Sequence, residues 1–135
     1  MTHNLARDSA SRRIGTDWEV TVCKYGNGEG FPLDRRALAG RRDLGDLMGR
    51  PGWVIGCKNE QTIRLSQYMN DLKVQKDNTR RRMGQAVSEA LGTEAWMTSE
   101  LIGVELVKRR GYGTGRAYAV MEFDDLLQVW RELDR

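Results

Sequence analysis

Histidine is almost absent from this 135-residue chain: His3, near the N-terminus, is the only one. A single imidazole so placed argues against Ser-His-Asp and Cys-His catalysis, which set a histidine beside the nucleophile. Cysteine is nearly as scarce, with Cys23 and Cys57 alone, so a Cys/His zinc site has too few ligands. The two thiols lie far apart in partly apolar stretches, a pattern of reduced core cysteines rather than a disulfide framework. No apolar run approaches the roughly 18 to 20 residues needed to cross a bilayer. The N-terminus also lacks the layout of a signal peptide, so a cytoplasmic location with no membrane partner is expected. What acid chemistry the chain performs has to come from carboxylates.

What is present is charge. Charged residues make up 30% and hydrophobic residues 39%, the balance of a folded domain rather than a disordered chain. The length suits one domain and one core. The net charge is only +3, but arginines cluster at Arg12-Arg13, Arg35-Arg36, Arg41-Arg42, Arg80-Arg81-Arg82 and Arg109-Arg110. Any one pair could be a solvated surface. The set points to a polyanion, because the guanidinium fork matches phosphate oxygens.

Residues 1–13 are polar and aperiodic, which reads as a flexible basic arm ahead of a single domain over 14–135. Trp18, Val22 and Tyr25 recur at helical spacing after Thr16, a plausible N-cap, so a helix is expected there despite its β-branched residues. Strands are expected over Phe31–Ala39, Leu44–Met48 and Trp53–Lys58, with Arg50-Pro51-Gly52 turning the chain between the last two. A helix follows from Thr62 to about Ala90, with Gly84 a candidate interruption and Gly92 a candidate end. Strands over Leu101–Lys108 and Ala117–Phe123 precede a closing helix capped by Asp124 and running to Leu133. Leu126, Leu127, Val129, Trp130 and Leu133 would then be core or dimer contacts. Gly111-x-Gly113-x-Gly115 superficially suggests a phosphate loop, but a strand rather than a helix follows it, so a hairpin turn is the better reading. The order α-β-β-β-α-β-β-α predicts an α/β domain with a mixed five-stranded sheet flanked by helices.

Two segments carry chemistry: Asp43-Leu44-Gly45-Asp46 and Trp53-Val54-Ile55-Gly56-Cys57-Lys58. Alternation along a strand puts Val54, Gly56 and Lys58 on one face. Lys58 ends an otherwise apolar strand, an odd place for a charge unless the sheet opens onto a polar site. Asp46, on the partner strand, is expected to converge with it. Singly, Asp46 could be a turn acid and Lys58 a guard of a sheet edge. Together they match phosphodiester hydrolysis. A hard divalent cation needs oxygen ligands, and a lysine can stabilise the extra negative charge of the transition state.

An aspartate on one strand, a turn, and then acid-x-lysine on the next is the PD-(D/E)xK nuclease signature. Gly15-Thr16-Asp17-Trp18-Glu19, Arg35-Arg36-Ala37-Leu38-Ala39-Gly40, Asp43-Leu44-Gly45-Asp46 and Trp53–Asn59 resemble the Holliday junction resolvases of actinobacterial phages. Val107-Lys108-Arg109-Arg110-Gly111 and Tyr118-Ala119-Val120-Met121 extend the likeness over most of residues 14–125, with 76–98 reading as an expansion. The resemblance implies a restriction-endonuclease-like fold, Mg²⁺ or Mn²⁺, four-way junction DNA as substrate, a homodimer and, for a phage protein, the host cytoplasm. It implies metal ligation by Glu19, by Asp46 and by the backbone carbonyl of Cys57, with Lys58 as the catalytic lysine. Arg35, Arg36, Arg41 and Arg42 are the first expected DNA contacts, and Lys108, Arg109 and Arg110 the second.

Position 56 departs from the pattern, which expects Glu where this chain has Gly. Glycine inside a strand costs roughly 0.5–1 kcal/mol, so it is no natural structural choice. It fits an acid deliberately removed, an acid lost by divergence, or a rearranged site in which Glu60 or Asp43 substitutes. The expectation favours an inactivated site with DNA binding intact, in which Gly56→Glu would restore cleavage. The alternatives are another PD-(D/E)xK nuclease acting on a different DNA shape, or a non-catalytic branched-DNA-binding protein.

Overall fold

The computed structural model describes residues 2–36, 44–91 and 100–135, with side chains over 14–36, 44–84 and 100–135. The elements are helix α1 (Thr2–Gly28), strands β1 (Asp34–Arg35), β2 (Leu47–Met48) and β3 (Trp53–Lys58), and helix α2 (Leu65–Leu91). Strand β4 (Ile102–Val107), a 3₁₀ turn at Thr114–Arg116, strand β5 (Tyr118–Val120) and helix α3 (Phe123–Leu133) complete the chain. The expected order of helices and strands is therefore the observed one.

The sheet order is β1-β2-β3-β4-β5. Only β3 and β4 run parallel; the other neighbours are antiparallel, so the sheet is mixed. Helix α2 makes the crossover that a parallel pair requires. The long apolar strands β3 and β4 are central, whereas β1 and β2 have two residues each. Expected strands over Phe31–Ala39 and Leu44–Met48 thus shrink to short ladders, and residues 37–43 lie outside the described residues. Gly45 and Gly49 explain part of the shortening: both have positive φ, which bends the backbone out of the ladder.

Each sheet face has its own helix. Trp18, Val22 and Cys23 of α1 pack with Leu47, Ile55 and Val104, and the Trp18 indole N–H donates to the carbonyl of Leu106 at 3.0 Å. On the other face Leu72 of α2 packs with Val54 and Leu101. Helix α3 is fastened by one carboxylate: Asp125 accepts from Lys76 Nζ at 2.9 and 3.0 Å and from the Gly103 amide at 2.8 Å.

Three boundaries and one side chain differ from expectation. Helix α1 does not begin at Thr16; it spans Thr2–Gly28. Tyr25 leaves the expected buried stripe and is half exposed, its hydroxyl lying against Gly115. Gly84 does not interrupt α2, which continues to Leu91, while Gly92 lies outside the described residues. Glu122, not Asp124, holds the N-cap position of α3; Asp124 and Asp125 fall in its first turn, where carboxylates suit the partial positive charge of a helix start. Among the described residues, no helix is long and apolar enough to cross a membrane.

Candidate active site

Strand β3 alternates as read from the sequence. Trp53, Ile55 and Cys57 pack in the α1 layer, whereas Val54 packs on α2 and Lys58 reaches Asp71 of α2. Gly56, between Val54 and Lys58, belongs to the α2 face.

Asp46 is fixed by backbone chemistry. Its amide donates to the Ile55 carbonyl at 2.8 Å, and its Oδ2 accepts the Cys57 amide at 2.7 Å. The left-handed turn at Gly45 (φ 102) brings it there, and a side chain at 45 would crowd the Ile55 carbonyl at 3.2 Å. Lys58 gives its carbonyl to the Lys108 amide on the β4 side at 2.8 Å. Successive peptides in a strand point opposite ways, so the Cys57 carbonyl faces the β2 side, where Asp46 stands. That carbonyl is thus on the side the resemblance requires of a ligand.

The space beside Gly56 is not vacant, which corrects the expectation of an unfilled position. Glu105 is its register partner on β4, is 0% exposed, and lays its carboxylate directly over Gly56. A Cβ built on Gly56 would come 2.6 Å from the Glu105 carboxyl carbon, and closer to its oxygens. Of the two expected substitutes, Glu60 is exposed beyond the end of β3, and Asp43 lies outside the described residues. The sequence did carry a signal. An acid inside Ile102-Gly-Val-Glu-Leu-Val107 is as anomalous as Lys58 at the end of β3, although it lies outside the motif.

Lys58 does not point at Asp46. Its Nζ donates to Asp71 Oδ2 at 2.9 Å and lies 5.4 Å from the Tyr68 ring centre. Burial pushes the ammonium's pKa down, but the Asp71 hydrogen bond and the charges of Glu105, Asp71 and Glu60 raise it above the ordinary value. Lys58 is therefore a fixed cation near neutral pH. Burial pushes the Asp71 carboxyl up, and hydrogen bonds from Lys58 and Gln67 more than offset that and hold it low. The Cys57 thiol is driven up by burial, then by Asp46, Glu19, Glu105 and Cys23, so it stays a neutral thiol.

Glu19 approaches from the other layer. It stands on α1, is 18% exposed and accepts from Arg35 Nε at 2.9 Å. The expected gathering of Glu19, Asp46 and Lys58 is corrected accordingly: Asp46 and Lys58 flank Cys57, Glu105 acts on both Cys57 and Lys58, and Glu19 is tied to Arg35 on the α1 side. Among the described residues, no three His, Cys, Asp or Glu side chains form a ready metal cage. Two carboxylates and a carbonyl do border the Gly56–Cys57 peptide, and Mg²⁺ commonly takes only one or two carboxylates and keeps several waters.

The basic residues expected at DNA differ in their surroundings where the structure describes them. Arg35 is engaged by Glu19, Arg36 is partly buried with its amide on the Asp46 carbonyl at 2.8 Å, and Arg41 and Arg42 lie outside the described residues. Arg80 pairs with Asp77 at 3.2 Å. Lys108, Arg109 and Arg110 follow β4 and, with Glu60, Tyr112 and Tyr118, line a pocket of about 310 Å³ beside the end of β3. Arg109 stacks over Tyr112 at 3.6 Å and near Tyr118 at 5.2 Å, and Lys108 lies 5.8 Å from the Trp18 ring. Among the described residues none of these three cations is in a salt bridge; two of them are steadied by rings, which leaves charge available to phosphate.

No family model, curated protein or solved structure matches this chain.

Proposed function

We propose that the chain is a divalent-metal-dependent DNA endonuclease with a restriction-endonuclease-like fold, acting on four-way junctions as a homodimer. One observation carries the reading: Asp46 is locked onto the Cys57 amide, so a metal-competent carboxylate and the fixed cation Lys58 flank one residue of β3. Around that residue Asp46 and the Cys57 carbonyl are the groups that would hold Mg²⁺ or Mn²⁺. Glu19 joins only if it leaves Arg35. The metal would supply Lewis acidity and an activated water. Lys58 then offers a positive charge to the non-bridging oxygens of the scissile phosphate. Lys108, Arg109 and Arg110, at the carboxyl ends of the parallel pair, hold the flanking backbone with little sequence preference. A two-fold dimer places two such sites on the two strands a junction requires to be cut.

The test is a competition among labelled junction, fork and linear duplex, followed by nicking in Mg²⁺ and Mn²⁺. The junction should bind tightest and be nicked, and Lys58→Met should suppress nicking while leaving binding unchanged. Equal binding of all three shapes would contradict junction selectivity; full nicking by Lys58→Met would remove the lysine from the chemistry.

One observation favours a second reading, that of a non-catalytic branched-DNA-binding protein: Lys58 is engaged by Asp71, and the described residues form no three-carboxylate cage. Tight junction binding with no nicking in either metal would select it.

A further inference from the structure

We infer that Glu105 serves this site in place of an acid at position 56, delivered from the neighbouring strand, and that Gly56 is the complement that makes room for it. The inference rests on the nuclease reading above and names a residue which that reading does not use.

Gly56 and Glu105 are paired across the parallel β3–β4 ladder, so their side chains leave the sheet on the same face, with strands about 4.8 Å apart. A glutamate at 56 would rise from β3 into the layer beneath α2. Glu105 rises into that layer from β4 and leans across, so that its carboxylate covers the Gly56 Cα. Only a residue without a Cβ tolerates this approach. The glycine and the glutamate therefore define each other, and the strand penalty at Gly56 has a reason that simple loss of an acid does not supply.

Charge points the same way. Glu105 is fully buried, and burying a carboxylate is costly unless something compensates. Part of that compensation comes from Lys58, on which Glu105 acts beside Asp71, and the same carboxylate acts on the Cys57 thiol. Glu105 stands on the β4 side of the Gly56–Cys57 peptide, as Asp46 stands on the β2 side. A divalent cation on that peptide would find a carboxylate on either flank. The site then retains its acid instead of being inactivated, and Gly56→Glu alone should not restore function, because it drives a second carboxylate into Glu105.

The test reads metal binding, not turnover. Mn²⁺ binding to the full chain is followed by electron paramagnetic resonance for the unaltered protein, Asp46→Asn, Glu105→Gln, Gly56→Glu and the double variant Gly56→Glu/Glu105→Ala. Thermal melts run alongside to report folding. Glu105→Gln should weaken Mn²⁺ binding by about tenfold or more, as should Asp46→Asn, with the melt retained. Gly56→Glu should melt lower and gain no affinity. The double variant, which returns the acid to β3, should recover both melt and Mn²⁺ affinity to within a few-fold, and it carries the test if Glu105→Gln fails to fold. Mn²⁺ binding lost in Asp46→Asn but unchanged in Glu105→Gln would overturn the inference and leave the nuclease reading standing. No Mn²⁺ binding by the unaltered chain would overturn both.

Discussion

Gly56 and Glu105 show how one residue's meaning depends on a neighbour far away in sequence. If the glycine is the room for the carboxylate, adding a methyl group at 56 must displace Glu105. Gly56→Ala should cost about 1–3 kcal/mol by urea denaturation, the usual range for overpacking a filled site. Much of that loss should disappear when Glu105 is shortened to Ala, so the two substitutions should be strongly non-additive. Additive costs would show that the carboxylate moves aside freely. The Lys58–Asp71 pair makes a second residue-scale prediction. Asp71 is held below its ordinary 3.8, so its contribution is present above that pH and is lost as pH falls through the lower folded value. Lys58 is held above its ordinary 10.5, so its contribution is present below that pH and fades as pH rises through the higher folded value. Asp71→Asn should therefore lose less than about 1 kcal/mol near neutral pH, since the pair is partly exposed, and should flatten the acid limb of the stability curve. An unchanged acid limb would show that the pair contributes nothing.

Among the elements, Lys76 and Asp125 join α2, β4 and α3 at one point. Their side chains are 16% and 11% exposed, and Asp125 also satisfies the Gly103 amide. Asp125→Ala leaves a shielded ammonium and a backbone donor without their acceptor, so it should destabilise by about 3–5 kcal/mol in urea titration. A loss below 1 kcal/mol would mean that α3 is held by its apolar face alone. This junction was not legible in the sequence, because it joins residues distant along the chain with no motif to couple them. What was legible follows local rules. Strand β3 was readable to the residue, since Pro51-Gly52 starts it and its six residues are apolar up to the terminal Lys58. Strands β1 and β2 were overread because composition reports β preference, while the positive φ at Gly45 and Gly49 decides where pairing stops. Helix α1 was cut short at Thr16 because polar residues upstream gave no periodic signal. Of the candidate site, the places of Asp46 and Lys58 beside Cys57 were readable from spacing, whereas the place of Glu105 over Gly56 depends on strand register, which no single segment encodes.

At the scale of the whole molecule, Lys108, Arg109 and Arg110, none of them in a salt bridge among the described residues, lie after β4 beside the Lys58 end of the sheet. If they grip a DNA backbone, junction affinity should fall by about 10³ or more between 50 and 200 mM salt when six or more phosphates are contacted. Replacing Lys108 and Arg110 with glutamine should make the logarithmic salt slope shallower by about one for each contact removed. An unchanged slope would move the interface elsewhere. Whether Asp46 is an acid of a metal-dependent nuclease is read out by single-turnover cleavage of a labelled four-way junction. In Mg²⁺ the unaltered chain should place paired nicks in two opposed strands, chelation should abolish them, and Asp46→Asn should bind the junction normally yet cut it at least about a hundredfold more slowly. Cutting at an undiminished rate by Asp46→Asn, or no cutting by the unaltered chain in any divalent metal, would contradict the account.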